Sequence, residues 1–177
     1  MLAKKYFPDL IDQVSQELTP MVATARTIKQ KHPNAKVVFI GPCAAKKLEA
    51  NGLPFDPSLV YECEFSTTKM MEQGAQLAKR DDFTAVFATA DLLAAGIMSG
   101  LQQAGRMVPR DISIVGFDDI NWSRMTMPML TTVRQEAMKK GRMAAECMLR
   151  LLAGELVDVH NRILPVRLIC RDSVRKI

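Results

Sequence analysis

The sequence predicts an α/β fold: an open, mostly parallel five-stranded sheet with helices on both faces, preceded by a helical extension. Two observations predict it. Five short apolar runs recur, Lys36–Ile40, Leu59–Cys63, Thr84–Ala88, Ile112–Gly116 and Val166–Cys170, and several are apolar almost without interruption, as strands covered on both faces are. Segments of helical period separate them, and strand alternating with helix builds parallel crossover units.

Each element has a local cause. Pro8 and Pro20 stand near the starts of two helical patterns, Asp9–Leu18 and Met21–Lys31, where a missing N–H costs little. His32-Pro33-Asn34 then breaks into the first strand, because the residue before a proline is pushed out of the helical region. Ser66 can N-cap a helix carrying Met70, Met71, Gly74, Leu77 and Ala78 on one face. A second helix is predicted from Asp91 to Ala104, stopping at Gly105. A third, from Gln135 to Ala153, puts Met138, Gly141, Ala145, Met148, Leu149 and Leu152 on one stripe and ends at Gly154. No Ser/Gly-rich linker or internal repeat divides residues 1–177, so one domain is expected.

Composition narrows the function. The 177 residues, 48% hydrophobic and 24% charged, suffice for one compact core. No apolar run approaches the roughly 20 residues that span a bilayer, and MLAKKYFPDL lacks a signal peptide's apolar core. The cytoplasm is therefore the expected compartment, with no membrane partner. The four cysteines include no C-x-x-C pair and only two histidines accompany them, so structural thiols are expected rather than zinc or a disulfide framework. The net charge is +5, but its cations are scattered among carboxylates, whereas a DNA-binding surface clusters them. No Ser-His-Asp order or phosphate loop points to an enzyme or a cofactor.

In an open α/β sheet, ligands bind beyond the carboxyl ends of the strands. Gly41-Pro42-Cys43 follow the first run, Glu64 and Phe65 the second, Thr89-Ala90-Asp91 the third, and Phe117-Asp118-Asp119 with Asn121-Trp122 the fourth. An aromatic face beside carboxylates suits a sugar or a nucleoside. Each residue has a structural alternative. Asp91 heads a helix and would stabilise its free N–H groups with or without a ligand. Asp118 and Asp119 could cap the next turn, Phe65 could belong to the core, and Trp122 fits hinge or interface packing.

The stretches GLPFDPSLVYECEFS, FTAVFATADLLAAGIMSGLQQAGRMVPRDISIVGFDDI, PMLTTVRQ, GRMAAECMLRLLAGE and ILPVRLICRDS resemble, over residues 51–177, the C-terminal effector subdomain of lac-repressor-family transcription regulators. That likeness implies one subdomain of a periplasmic-binding-protein-like fold, with the effector held against an N-terminal subdomain. It further implies that Phe65 stacks on the ligand, that Asp91 accepts its hydrogen bonds, and that Gln135 lies near the hinge; Asp118 stands as a ligand candidate on its strand-end position alone. The sequence offers no helix-turn-helix headpiece and no complete opposing subdomain, so weak effector binding and no specific DNA recognition are expected. Residues 1–50, with GPCAAKKLE, resemble a segment of iron-only hydrogenases, which implies a chimera joined near Glu49–Gly52. An alternative reading follows, an iron–sulfur redox protein using Cys43, although a cubane cluster wants four thiolates.

Self-association is expected through the helix from Asp91 to Ala104. Leu93, Ile97, Leu101 and Ala104 form the stripe facing the sheet, while Leu92, Ala95 and Met98 form a second apolar face. A helix apolar around more than half its circumference is usually buried on two sides.

Overall fold

A computed structural model of the chain describes residues 37–41, 57–155 and 164–175. The expected N-terminal helices, the Glu49–Gly52 junction and Cys43 lie outside the described residues. The elements run β1 (Val37–Gly41), a 3-10 turn (Pro57–Leu59), β2 (Val60–Glu62), α1 (Thr67–Leu77), β3 (Ala85–Ala88), α2 (Asp91–Gln103), β4 (Ser113–Asp118), a 3-10 turn (Asn121–Arg124), β5 (Thr131–Arg134), α3 (Ala137–Leu152) and β6 (Arg167–Ile169).

These strands form one sheet in the order β2-β1-β3-β4-β5-β6. β1 to β5 pair in parallel and β6 is antiparallel to β5, with Thr132 opposite Ile169. The α/β class and the mostly parallel open sheet are as the sequence predicts; the strand count is not. β5, Thr-Thr-Val-Arg, is the additional strand. Its β-branched residues favour extended backbone, and the run is too short to compete with its longer neighbours as a sequence signal.

The core sits between the sheet and the pair α1–α2. Ile40, Val86, Ala88 and Ile114 from the strands meet Met70 and Leu77 of α1 and Leu93, Ile97 and Leu101 of α2 in one cluster. The two helices touch nearly backbone to backbone. A Cβ on Gly74 would strike the Ile97 carbonyl, and one on Gly100 the Met71 carbonyl. The second apolar face of α2 is also largely covered: Met98 is only 2% exposed, and on its side of the helix Gln102 Nε2 donates to the Met127 carbonyl at 2.8 Å, so the expected contact with another copy has little surface to use. Leu92, at the helix start, stays 38% exposed. The third helix is different: α3 buries none of its residues, so its predicted apolar stripe is exposed.

Candidate functional site

Because β1 to β5 are parallel, their carboxyl ends form one rim. The order reverses between β1 and β3, where β1 leads to β2 on one side and β3 to β4 on the other. Such a switch point opens a crevice at the strand ends. Phe65 follows β2 on one side of it, and Asp118 ends β4 on the other. With three strand spacings of about 4.8 Å between β2 and β4, the two stand roughly 14 Å apart along the rim.

Phe65 is 54% exposed, so it lies outside the core. Thr89, just after β3, sits between the two, and its backbone N–H donates to the Ile40 carbonyl at 3.0 Å. Its hydroxyl oxygen is buried with no hydrogen-bond partner among the described residues, an unusual state for a buried polar atom.

Asp91, which the family likeness implies as a ligand acceptor, is engaged within the protein in this structure. It is 1% exposed, and both carboxylate oxygens are engaged. The Thr132 hydroxyl donates to Oδ1 at 2.5 Å, and the Ile120 N–H donates to Oδ2 at 2.9 Å. Burial, opposed by those two hydrogen bonds and reinforced by the nearby Asp118 and Asp119, pushes its carboxyl above the ordinary value. Gly116 leaves the space that this carboxylate occupies, since a Cβ there would meet Asp91 Oδ1. In this arrangement Asp91 pins α2 to β5 and to the loop after β4. Its carboxylate faces protein on both oxygens.

Asp118 and Asp119 are the only non-glycine residues with positive φ among the described residues, at 112° and 56°. Side chains rarely adopt this backbone, and such strain persists where the surroundings over-determine it. The surroundings here are two guanidinium groups. Arg134 Nε donates to Asp119 Oδ2 at 2.5 Å and Arg171 Nη2 donates to Oδ1 at 2.5 Å. Arg171 Nη1 also donates to Ser123 Oγ at 3.0 Å and to the Leu130 carbonyl at 2.7 Å. The side chains of Asp119 and Arg171 are 2% and 10% exposed. Burial works against ionisation of Asp119, but the hydrogen bonds and charges of Arg171 and Arg134 outweigh it and hold the carboxyl below its usual range. Asp119 is thus a buried clamp, and it fixes the backbone from which half-buried Asp118 projects. Gln135, directly after β5, donates from Nε2 to Asp118 Oδ1 at 2.5 Å.

The structure therefore gathers Asp118 and Gln135 at one point, sets Phe65 across the switch point, and withdraws Asp91 into the interior. Sequence reasoning missed Arg134, Arg171, Ser123 and Thr132, which build the clamp. Their signal was faint: two arginines, each at the end of a strand in the half of the sheet that holds the acidic pair. The bland reading of cysteine fits Cys63, which is buried and whose thiol burial and Glu64 push up. No group of three or more His, Cys, Asp or Glu among the described residues could hold a metal ion. No helix among them is long and apolar enough to cross a membrane.

A parallel sheet with a switch-point crevice, an exposed aromatic ring and a carboxylate clamped at a strand end defines an α/β module of the ligand-binding kind. A family model described as periplasmic binding protein-like domain matches residues 24–174. The chain belongs to that family. Among curated proteins, the transcriptional regulator MalR of Clostridium butyricum is 36% identical over 129 residues, covering 72% of this chain and 38% of MalR. Among solved structures, the complex of the transcriptional regulator CelR with cellobiose superposes with a TM-score of 0.70 at 27% identity, over 85% of this chain and 49% of that one. A LacI family regulator from Enterococcus faecium with bound ribose gives a TM-score of 0.65 at 28% identity, over 78% of this chain and 56% of that one. The chain spans about two fifths of the length of the curated relatives it matches. The family match begins at residue 24, so it takes in β1 and part of the segment likened above to hydrogenases.

Proposed function

We propose that this chain is the effector-binding subdomain of a lac-repressor-type transcriptional regulator and presents one half of a site for a sugar or a nucleoside. The observation that carries this is the rim: exposed Phe65 and the Asp118–Gln135 pair flank the switch point, with the unpaired Thr89 hydroxyl between them. Phe65 stacks on an apolar ring face, Asp118 accepts from hydroxyl or N–H groups, and Gln135 orients Asp118. The fold likeness to regulators whose structures contain cellobiose and ribose supports a polyhydroxylated ligand.

The described residues supply one wall of such a cleft, and the reading assigns them ligand binding, with no catalytic step and no DNA contact of their own. Its place is the cytoplasm. Calorimetric titration with cellobiose, ribose and a purine nucleoside tests this reading. Saturable heat at millimolar ligand that disappears in Phe65→Ala supports it; no heat with any of them leaves only a scaffold.

The iron–sulfur alternative, and with it the chimeric origin of residues 1–50, stands on the GPCAAKK element, and the relatives found, being transcriptional regulators, give it no support. Anaerobic reconstitution yielding colourless, iron-free protein eliminates a Cys43 cluster.

A further inference from the structure

The antiparallel pair at the edge of the sheet sets two arginines against each other. Arg134 ends β5, and Arg167 opens β6 as its direct cross-strand partner. Residues in that register project from the same face with Cβ atoms about 4.5–5.5 Å apart, and like charges there are destabilising. Thr132 and Ile169 are another matched pair in this ladder. Side chains alternate along a strand, so Thr132, which reaches Asp91 from β5, marks the α2 side of the sheet as the face carrying both guanidinium groups.

The carboxylates nearby are already engaged. Asp119 gives Oδ2 to Arg134 and Oδ1 to Arg171, and Gln135 donates to Asp118 Oδ1. Arg167 is exposed and makes no ion pair among the described residues. In Arg134, Nε and Nη2 converge on the same Asp119 oxygen, each at 2.5 Å. Its Nη1 makes no hydrogen bond among the described residues, and the side chain is 33% exposed. Arg134 is thus braced from behind by a carboxylate that is itself 2% exposed, with one guanidinium nitrogen left for a ligand.

We infer that Arg134 and Arg167 form a site for a phosphate group, inorganic or carried on a small metabolite. Guanidinium forks match the spacing of phosphate oxygens, and an anion held between the two arginines offsets the repulsion that their register imposes. A phosphate monoester presents three acceptor oxygens and about −1.5 to −2 charge at pH 7, enough for two cations, whereas a carboxylate presents two oxygens and one charge. The site is separate from the effector crevice. Five strand spacings of about 4.8 Å separate β2 from β6, so Phe65 and Arg167 stand roughly 24 Å apart along the rim. One sugar phosphate does not span that distance, and the inference does not depend on the effector reading.

Titration of the ¹⁵N-labelled chain at constant ionic strength, followed on the arginine Nε–Hε signals, tests it. The probes are inorganic phosphate, glucose 6-phosphate, glucose and sodium chloride. Both phosphates should shift the Arg134 and Arg167 signals saturably, with a Kd on the order of 1 mM, while glucose and chloride leave them unmoved. Arg167→Gln should weaken both phosphates at least about tenfold. Arg167→Glu should abolish their binding and raise Tm, because the new carboxylate faces Arg134. Equal affinity for the two phosphates means that the bare group is recognised. Tighter glucose 6-phosphate with the same dependence on Arg167 means that the group arrives on a sugar. Phe65→Ala leaves these shifts in place, which separates the site from the crevice. Silence toward phosphate, shifts reproduced by chloride, or binding indifferent to Arg167→Gln overturns the inference. So does a fall in Tm on Arg167→Glu, or loss of the phosphate shifts in Phe65→Ala.

Discussion

Replacing Arg171 by methionine is the perturbation that most sharply tests how the rim is built. Methionine keeps much of the aliphatic length and removes the three hydrogen bonds that Arg171 makes to Asp119, Ser123 and the Leu130 carbonyl. Asp119 is left 2% exposed with Arg134, itself 33% exposed, as its remaining cation. Breaking a buried ion pair by removing one partner costs about 3–5 kcal/mol. Because Arg134 stays, the loss should fall at the lower end, about 3 kcal/mol. For a domain of this size that is a fall in Tm of roughly 6–12 °C. A double-mutant cycle with Asp119→Asn, read by urea and thermal denaturation, separates the pair from its surroundings. The double variant should be more stable than the sum of the single losses predicts. The pH dependence has a definite sign. Asp119 is held below its ordinary value in the folded protein, so its contribution is complete above the unfolded value of about 3.9 and is lost as pH falls through the folded one. The gap between wild type and Arg171→Met should therefore be full at pH 7 and shrink below about pH 4. A variant within about 0.5 kcal/mol of wild type, or strict additivity in the cycle, refutes the clamp.

Two further changes probe the supports of the rim. Thr132→Val removes the hydroxyl that donates to buried Asp91 while keeping shape, and should cost about 1–3 kcal/mol by chemical denaturation; no loss would mean that Asp91 is satisfied by Ile120 alone. Gly100→Ala drives a methyl into the Met71 carbonyl, a backbone atom that cannot rotate away. It should cost about 1–3 kcal/mol, and an unchanged Tm would contradict the α1–α2 seam.

What the sequence disclosed and what it hid have physical reasons. The strand–helix alternation was legible because Thr84–Ala88 and Ile112–Gly116 are central strands, apolar on both faces, and their period cannot be mistaken for surface. Helix ends were legible at Gly105 and Gly154, whose φ values of 86° and 75° are those that glycine accepts. β5 was not, since four residues with two threonines carry little hydrophobic signal. The burial of the second apolar face of α2 was hidden for a different reason: the face is real, but sequence pattern cannot say that Met98 is already covered within the chain. Phe65 and Asp118 were visible as strand-end residues. Asp91 was visible too, but its fate depended on Thr132, 41 positions away, and on a glycine at position 116 that makes room for it. Long-range pairing of that kind leaves no local trace.

The central claim is that ligands engage the carboxyl rim of this sheet. Chemical-shift mapping of ¹⁵N-labelled protein with cellobiose, ribose and a purine nucleoside at millimolar concentration tests it most directly. The account predicts saturable shifts confined to the backbone amides around Phe65, Thr89, Asp118 and Gln135, abolished by Phe65→Ala with the rest of the spectrum unchanged. Shifts at other strand ends or on the helices, or a rim that stays silent to every ligand, would contradict it.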